Sequence, residues 1–375
     1  MRITDLTGWF LDSFMRMFPH PTPPGLRRSG NPGPDSPVFL TCNFTLTVRR
    51  LLRALAGRDA WVLVANSHGI NVWCAAGGGY LTHHDVIAVL RFTEISGVVN
   101  HRRLILPQLA ATGVEPRKIR EATGWEAAWG PARLEDLPLW FDQGGHVKQD
   151  RRVMRFPLWE RLEMALMWAW ALALVALLII GFGWSWRLGL IAALDTVLMV
   201  FGVFAALPQR PATSRPSMFL YTAFALLGTA AGAGLLAVTG SSTGGGILIL
   251  AVEAVLTMLL LSVDLAGTTP LYASSINTYR NRFALELLEE RCTGAADCIQ
   301  VCPRDVLRMN GPPPRVEIVR PVSCILCGAC IVQCPEDALR FRYPDGRIIE
   351  PATIRRTRMN MAGRRTVEVE EVEAG

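Results

Sequence analysis

Four continuous apolar stretches, residues 162–182, 188–207, 218–239 and 246–266, dominate the middle of the chain. Each is about 20 residues long, the length a helix needs to cross a hydrocarbon core. Without water to satisfy the backbone, such a run can hold its N–H and C=O groups only as an α-helix. Arg151, Arg152, Arg155 and Arg161 precede the first stretch, Arg210 and Arg215 lie between the second and third, and Arg280 and Arg282 follow the fourth. The opposite joints carry only Arg187. By the excess of basic residues on the inner side, both soluble flanks are expected to face the cytoplasm, and an even number of spans agrees. The expected location is the cytoplasmic membrane, as a multi-pass protein.

Two carboxyl groups, Asp195 and Glu253, fall inside these stretches. There they are costly unless they meet a partner or water. Two readings stand side by side: a polar path or contact point, and carboxyls held within the bundle by protonation or hydrogen bonds. Gly228, Gly232 and Gly234, with Ala225 and Ala231, suit the third stretch to close helix packing.

The organisation around this block follows from composition. Residues 1–37 form an N-terminal segment and Pro-rich linker, with proline and glycine concentrated between Pro19 and Pro37. The first 18 residues carry Asp5 and Asp12 and do not read as a secretory signal. Residues 38–150 alternate short apolar runs with helix-like segments. Strands are expected at 38–40, 61–65, 98–100 and 104–106, and helices at 46–56, 85–92 and 116–123. That alternation predicts an α/β, Rossmann-like domain with a largely parallel sheet. Its ligand would sit at the carboxyl ends of the strands, where residues 66–79 fall. A transmembrane domain of about four helices (151–280), a ferredoxin-like domain (281–345) and a tail (346–375) complete the chain. The net charge of +6 is accounted for by arginine at membrane edges. No basic run interleaved with aromatics suggests nucleic acid.

Nine cysteines are present, seven of them between Cys292 and Cys334. Cys324, Cys327, Cys330 and Cys334, followed by Pro335, have the bacterial ferredoxin spacing. In it three thiolates wrap one cubane cluster and the fourth ligates its neighbour. Cluster chemistry implies a reducing compartment rather than a disulfide scaffold. Cys292, Cys298 and Cys302 repeat the frame upstream, but Ala295 stands where the second cysteine belongs. By the exchange rule Cys302 joins Cys324, Cys327 and Cys330 around a 4Fe–4S cluster. Cys292, Cys298 and Cys334 are left for an incomplete second site. It can hold a 3Fe–4S cluster, hold a 4Fe–4S cluster with an outside ligand, or be degenerate. Asp297 is close by in a different frame position. The module is expected to be an α+β, two-cluster bacterial ferredoxin-like domain.

The remaining chemical signal is the stretch Asn71, Val72, Trp73, Cys74, Ala75, Ala76 and Gly77, just after an apolar run ending at Ala65. Small residues let a flat ligand approach the backbone, and a thiolate is a soft metal ligand. On the residues alone, a single cysteine in such company reads first as a small buried hydrophobe. His68 reads as a solvated loop residue. Adjacent His83 and His84 read as side chains pointing apart, and Cys42 as packing.

This stretch closely resembles the cap-helix motif of the HgcA family, the membrane corrinoid proteins of microbial mercury methylation. The resemblance continues in Gly69-Ile70, in the run from His101 to Leu109, and in the run from Val263 to Pro270; it extends over about residues 37–278. The iron–sulfur module resembles HgcB, the ferredoxin partner in the same system, at Arg291-Cys292-Thr293-Gly294 and Cys327-Gly328-Ala329-Cys330.

The resemblance implies a corrinoid (cobalamin) in the α/β domain, with Cys74 as catalytic cobalt ligand. Trp73 would pack near the ring, and Ala75, Ala76 and Gly77 would admit it. It also implies a methyl donor, either a methylated folate or a corrinoid methyl-donor protein, an electron donor to the ferredoxin module, and Hg(II) as acceptor. The sequence departs from the family at Gly78, where a lysine is usual, at Ala295, and in residues 364–375, which lack the cysteine pair of HgcB tails. Two other functions fit the same residues: a corrinoid methyltransferase with a different acceptor, and a membrane iron–sulfur electron-transfer protein without corrinoid.

Overall fold

The computed structural model describes residues 8, 10–11, 13–240, 244–263, 265, 268, 270–273 and 283–359. The tail 364–375, Arg280, Arg282, and Asp264, Ala266, Gly267 and Thr269 of the 263–270 motif lie outside the described residues. The chain divides into two compact units. One gathers residues 155–268 with the N-terminal 18; the other combines residues 19–154 with the iron–sulfur region.

The second unit begins with β1 (Gly25–Ser29), β2 (Val38–Cys42), α1 (Thr45–Ala54), β3 (Ala60–Ala65), α2 (Val72–Gly78), α3 (His83–Phe92), β4 (Arg103–Leu106), α4 (Pro116–Thr123), β5 (Glu126–Trp129) and α5 (Leu137–Asp142). The sheet order is β1-β3-β2-β4-β5. β2 runs parallel to β3 and β4, β4 runs parallel to β5, and β1 is an antiparallel edge on β3. Both faces of the central strands are buried, which is why they read as unbroken apolar runs. Alternate residues serve opposite faces. Val38, Leu40, Leu63 and Leu104 pack with Trp73, Leu81, Val86 and Ile119. Phe39, Val62, Val64 and Ile105 pack with Leu51, Leu55 and Leu137.

Two expectations are corrected. The Pro/Gly-rich stretch 19–37 is not a free linker, because β1 lies within it and pairs with β3 from Gly25↔Val64 to Ser29↔Ala60. Backbone pairing, not apolar patterning, fixes this strand. Residues 98–100 are not a strand either: a 3₁₀ turn at Ile95–Gly97 leads into them, and Val98 faces solvent.

The first unit contains α6 (Leu158–Gly183), α7 (Trp186–Ala206), α8 (Met218–Val238) and α9 (Gly244–Val263), all long and apolar enough to cross a membrane. Small residues bring their backbones together. A Cβ on Gly189 of α7 would stand 2.8 Å from the Gly181 nitrogen and the Leu177 oxygen of α6. Phe14 stacks on Trp170, and Arg16 pairs with the buried Glu163 at 3.1 Å, which docks the N-terminal segment on α6.

The iron–sulfur region comprises β6 (Ala284–Leu287), α10 (Asp297–Val301), β7 (Leu307–Asn310), β8 (Arg315–Ile318), α11 (Ala329–Val332), β9 (Leu339–Arg342), β10 (Ile348–Ile349) and α12 (Pro351–Arg356). β6 pairs with β9 and β7 with β8, all antiparallel. The two halves repeat at an offset of 32 residues, seen in Cys292 and Cys324 and in the starts of α10 and α11 and of β7 and β9. Left-handed backbone recurs at the same offset: Gly294 with Leu326, Ala296 with Gly328, and Asp305 with Asp337.

Candidate functional site

The short helix α2 carries the residues singled out around Cys74. Asn71 starts it as an N-cap, its side chain accepting the Cys74 amide at 3.0 Å, and Gly79 ends it in the left-handed conformation (φ 79°). Val72, Trp73, Ala75, Ala76 and Gly77 are buried, while Asn71 is exposed and Cys74 half-buried. The seven residues therefore divide. Cys74 and Asn71 are presented, and the others anchor the helix. Trp73 packs into the core beneath the helix rather than standing beside Cys74 on its open side.

The loop before α2 is held by a residue the sequence did not flag. Asn43 follows β2 and is 2% exposed. Its Oδ1 accepts from the Ser67 amide, the Ser67 hydroxyl and the Gly69 amide, each at 2.9 Å. This oxygen fixes the strand-to-helix turn at the carboxyl edge of the sheet. On the other side, the 3₁₀ segment Gln108–Thr112 ends at Gly113, which lies against the Ala76 carbonyl so closely that a Cβ there would be 2.0 Å from it. The run from His101 to Leu109 thus supplies β4 and the segment that backs α2.

His68 is exposed on this loop, with left-handed backbone. Cys42 is fully buried, and burial pushes its thiol up. His83 and His84 do not point apart: their rings lie 4.2 Å from centre to centre. His83 sits 3.6 Å from Glu115, and burial, then Lys118 and His84, hold its imidazole below the usual range.

The iron–sulfur residues converge in two groups. Cys302, Cys324, Cys327 and Cys330 line one small cavity with Pro303, Ile325 and Ala329. Burial, then the neighbouring Cys327, pushes Cys324 up to about 12. Cys330 is raised well above the usual thiol value by burial, with Cys327, Cys302 and Cys324 next. Burial followed by Cys334 and Cys292 pushes Cys298 up to about 12. Thiols crowded in this way lose their protons when iron replaces them, so the four-cysteine group of Cys302, Cys324, Cys327 and Cys330 fits a 4Fe–4S cluster. Backbone amides also approach the sulfurs: Val306 N to Cys302 Sγ at 3.4 Å, Ala338 N to Cys334 Sγ at 3.2 Å, and Val316 N to Cys292 Sγ at 3.5 Å.

The three-cysteine group opens differently. Ala295 is exposed. Cys334 and Asp297 border a cleft of about 540 Å³ shared with Arg117, Arg120, Trp129 and Arg355. Burial raises the Asp297 carboxyl.

The module packs directly on the α/β domain. Val301, Cys327, Ala329 and Met359 belong to the same core as Trp73, Ala75 and Ala76 of α2. Met359 N donates to the Gly77 carbonyl at 2.6 Å. Gln333 Nε2 donates to the carbonyls of Ala111 and Val114, each at 2.8 Å. Arg152 reaches the Gln300 carbonyl at 3.2 Å. None of these pairings was readable from sequence, since their partners lie up to 282 positions apart, as Gly77 and Met359 do.

Residues 17–141 match the family model described as CO dehydrogenase/acetyl-CoA synthase delta subunit, and residues 317–340 match the 4Fe-4S binding domain. The acetyl-CoA decarbonylase/synthase complex subunit gamma of Archaeoglobus fulgidus is 37% identical over 128 residues, which cover 34% of this chain and 27% of that protein. The corresponding subunit of Methanopyrus kandleri is 36% identical over 132 residues, 35% and 28% of the two chains. That of Methanocaldococcus jannaschii is 34% identical over 114 residues, 30% and 23%. The chain spans about a quarter of the length of these curated relatives. The likeness to these subunits is confined to the α/β region, and the likeness to the 4Fe-4S binding domain to the iron–sulfur region.

Proposed function

We propose that this chain is a membrane-anchored, corrinoid-dependent methyltransferase with its own fused reductant, acting on Hg(II). The observation that carries the reading is the placement of Cys74. It is a half-buried thiol in the first turn of a helix that is otherwise packed, in a core shared with Cys327 of the complete cysteine set. A bound corrinoid would supply a cobalt centre able to accept a methyl group and pass it on. Cys74 would hold the cobalt, Asn71 would fix the thiol by holding the Cys74 amide, and Gly113 would keep α2 seated against the sheet. A thiolate at Cys74 would be a soft, electron-rich ligand, which would suit methyl transfer to a soft electrophile.

The iron–sulfur module is the reductant in this account. Cys302, Cys324, Cys327 and Cys330 would hold a 4Fe–4S cluster. Cys292, Cys298 and Cys334 would hold a second cluster, 3Fe–4S or 4Fe–4S. Covalent fusion raises the donor's effective concentration at the corrinoid site. An external donor would feed the module, and a methylated folate or a corrinoid methyl-donor protein would supply the methyl group. The arginine distribution supports a cytoplasmic placement of both soluble regions.

A second reading keeps the corrinoid and changes the acceptor. It is favoured by the likeness to subunits of acetyl-CoA decarbonylase/synthase complexes and by Gly78 in place of the family lysine. Incubating the reduced, methylated protein with Hg(II) separates the two. Methylmercury is expected; full retention of the methyl group on the protein would overturn the mercury reading in favour of the second.

A further inference from the structure

Asp195 and Glu253 stand at mid-height of α7 and α9, 1% and 8% exposed. Among the described residues, neither carboxylate oxygen of Asp195 has a hydrogen-bond partner, and neither does Oε2 of Glu253. Oε1 of Glu253 accepts from the hydroxyls of Thr196 at 2.6 Å and Thr257 at 2.9 Å. Against Asp195, α8 presents glycine. A Cβ on Gly228 or Gly232 would lie 3.3 Å from Asp195 Oδ1 or 3.4 Å from Oδ2, respectively. The apolar side chains of Met199 and Leu250 close in beside the same two glycines, so the two orphan oxygens face glycine backbone and apolar side chains that offer them no hydrogen bond.

An ionised carboxylate buried in this way costs several kcal/mol unless something neutralises it. The other charged or titratable residues of the four helices are Glu160, Arg161 and Glu163 on α6, Arg187 at the start of α7, and Tyr221 on α8. The cations among them are engaged elsewhere. Arg161 donates to the Ala205 carbonyl at 2.7 Å and to that of Leu207, and Arg187 donates to the Thr239 carbonyl. Glu163 already has Arg16. Among the described residues no fixed positive side chain serves Asp195, so neutralisation falls to a cation that comes and goes.

We propose that Asp195 and Glu253, with the hydroxyls of Thr196 and Thr257, form an exchangeable site for one monovalent cation, a proton or a sodium ion, inside the helix bundle. The unpartnered oxygens of Asp195 are the primary ligands, and Glu253, steadied by the two threonines, is the secondary one. A site of this kind would make the bundle a cation-responsive element rather than a passive anchor.

The test uses the full chain in phospholipid vesicles, with dicyclohexylcarbodiimide as a probe that adds to protonated carboxyls, and peptide mass spectrometry to locate it. Labelling is expected at Asp195, falling about tenfold per pH unit above the midpoint of its titration. Sodium chloride in place of choline chloride at one pH distinguishes the sources: slower labelling means sodium competes, and unchanged labelling means the ligand is the proton. Absence of label at both carboxyls, or labelling indifferent to pH and to sodium, would overturn the site. Asp195→Asn should abolish the Asp195 adduct with the visible absorption of the iron–sulfur module intact. Should that variant not accumulate, Glu253→Gln serves: it should shift the Asp195 midpoint by at least about one pH unit. An unshifted midpoint would show that the two carboxyls do not share a ligand.

Discussion

Gly113→Ala is the substitution whose effect follows most directly from the geometry around Cys74. The new methyl group would lie 2.0 Å from the Ala76 carbonyl oxygen, 2.8 Å from its carbon and 3.2 Å from its Cα. Ordinary contact begins near 3.4 Å, so the backbone of α2 must move by more than an ångström to relieve the overlap. A side chain could rotate away, whereas a helix backbone cannot. Overpacking of a tight core costs about 1–3 kcal/mol, and a clash with backbone belongs at the upper end, about 3 kcal/mol. Gly97→Ala is the matched control. Its methyl would meet nothing within 4 Å, and its effect should stay within about 0.5 kcal/mol. Urea unfolding of the full chain, followed by fluorescence of the buried Trp73 and Trp125, reads the difference as a lowered midpoint for the α/β transition. Alkylation of Cys74 should also quicken as α2 lifts. If Gly113→Ala unfolds and alkylates like Gly97→Ala, the seating of α2 on Gly113 is wrong.

Asn43→Ala leaves the Ser67 and Gly69 amides without their acceptor. At about 1–3 kcal/mol for each buried unsatisfied group, the variant should lose several kcal/mol in the same urea assay, and Asn43→Asp much less. Ala295→Cys restores the missing cysteine of the upstream frame; iron should rise to about eight per chain and any 3Fe–4S paramagnetic signal should vanish. Burial, Lys118 and His84 depress the folded imidazole of His83, so the unfolded chain binds the extra proton more readily. Stability of the α/β region should therefore fall as pH drops from the ordinary imidazole value, 6.5, toward the lower folded value, and His83→Gln should flatten that slope in pH-dependent melting.

What could be read from the chain alone follows physical locality. The membrane helices and the cysteine frame are short-range patterns, set by apolar length and by thiolate spacing, and their positions fall within a few residues of expectation. β1 escaped because Gly-Leu-Arg-Arg-Ser has no apolar alternation; its place depends on an open edge of β3 far along the chain. Residues 98–100 misled for the opposite reason: two valines suggest a strand, but only Val99 is buried and no neighbouring strand pairs with them. Around Cys74 the motif itself stood out, while Asn43, Gly113, Gln333 and Met359 did not. Their roles arise from contacts across the fold that no local pattern announces.

The central claim concerns Cys74 and a corrinoid. The most direct measurement is the visible absorption spectrum of the full chain reconstituted anaerobically with cobalamin, compared with Cys74→Ala after removal of unbound cofactor. Stoichiometric cobalt with a spectrum changed by thiolate ligation is predicted for the unaltered chain, and the free-cobalamin spectrum or no retained cobalt for the variant. Identical spectra and cobalt content, or no retention by either protein, would contradict the account.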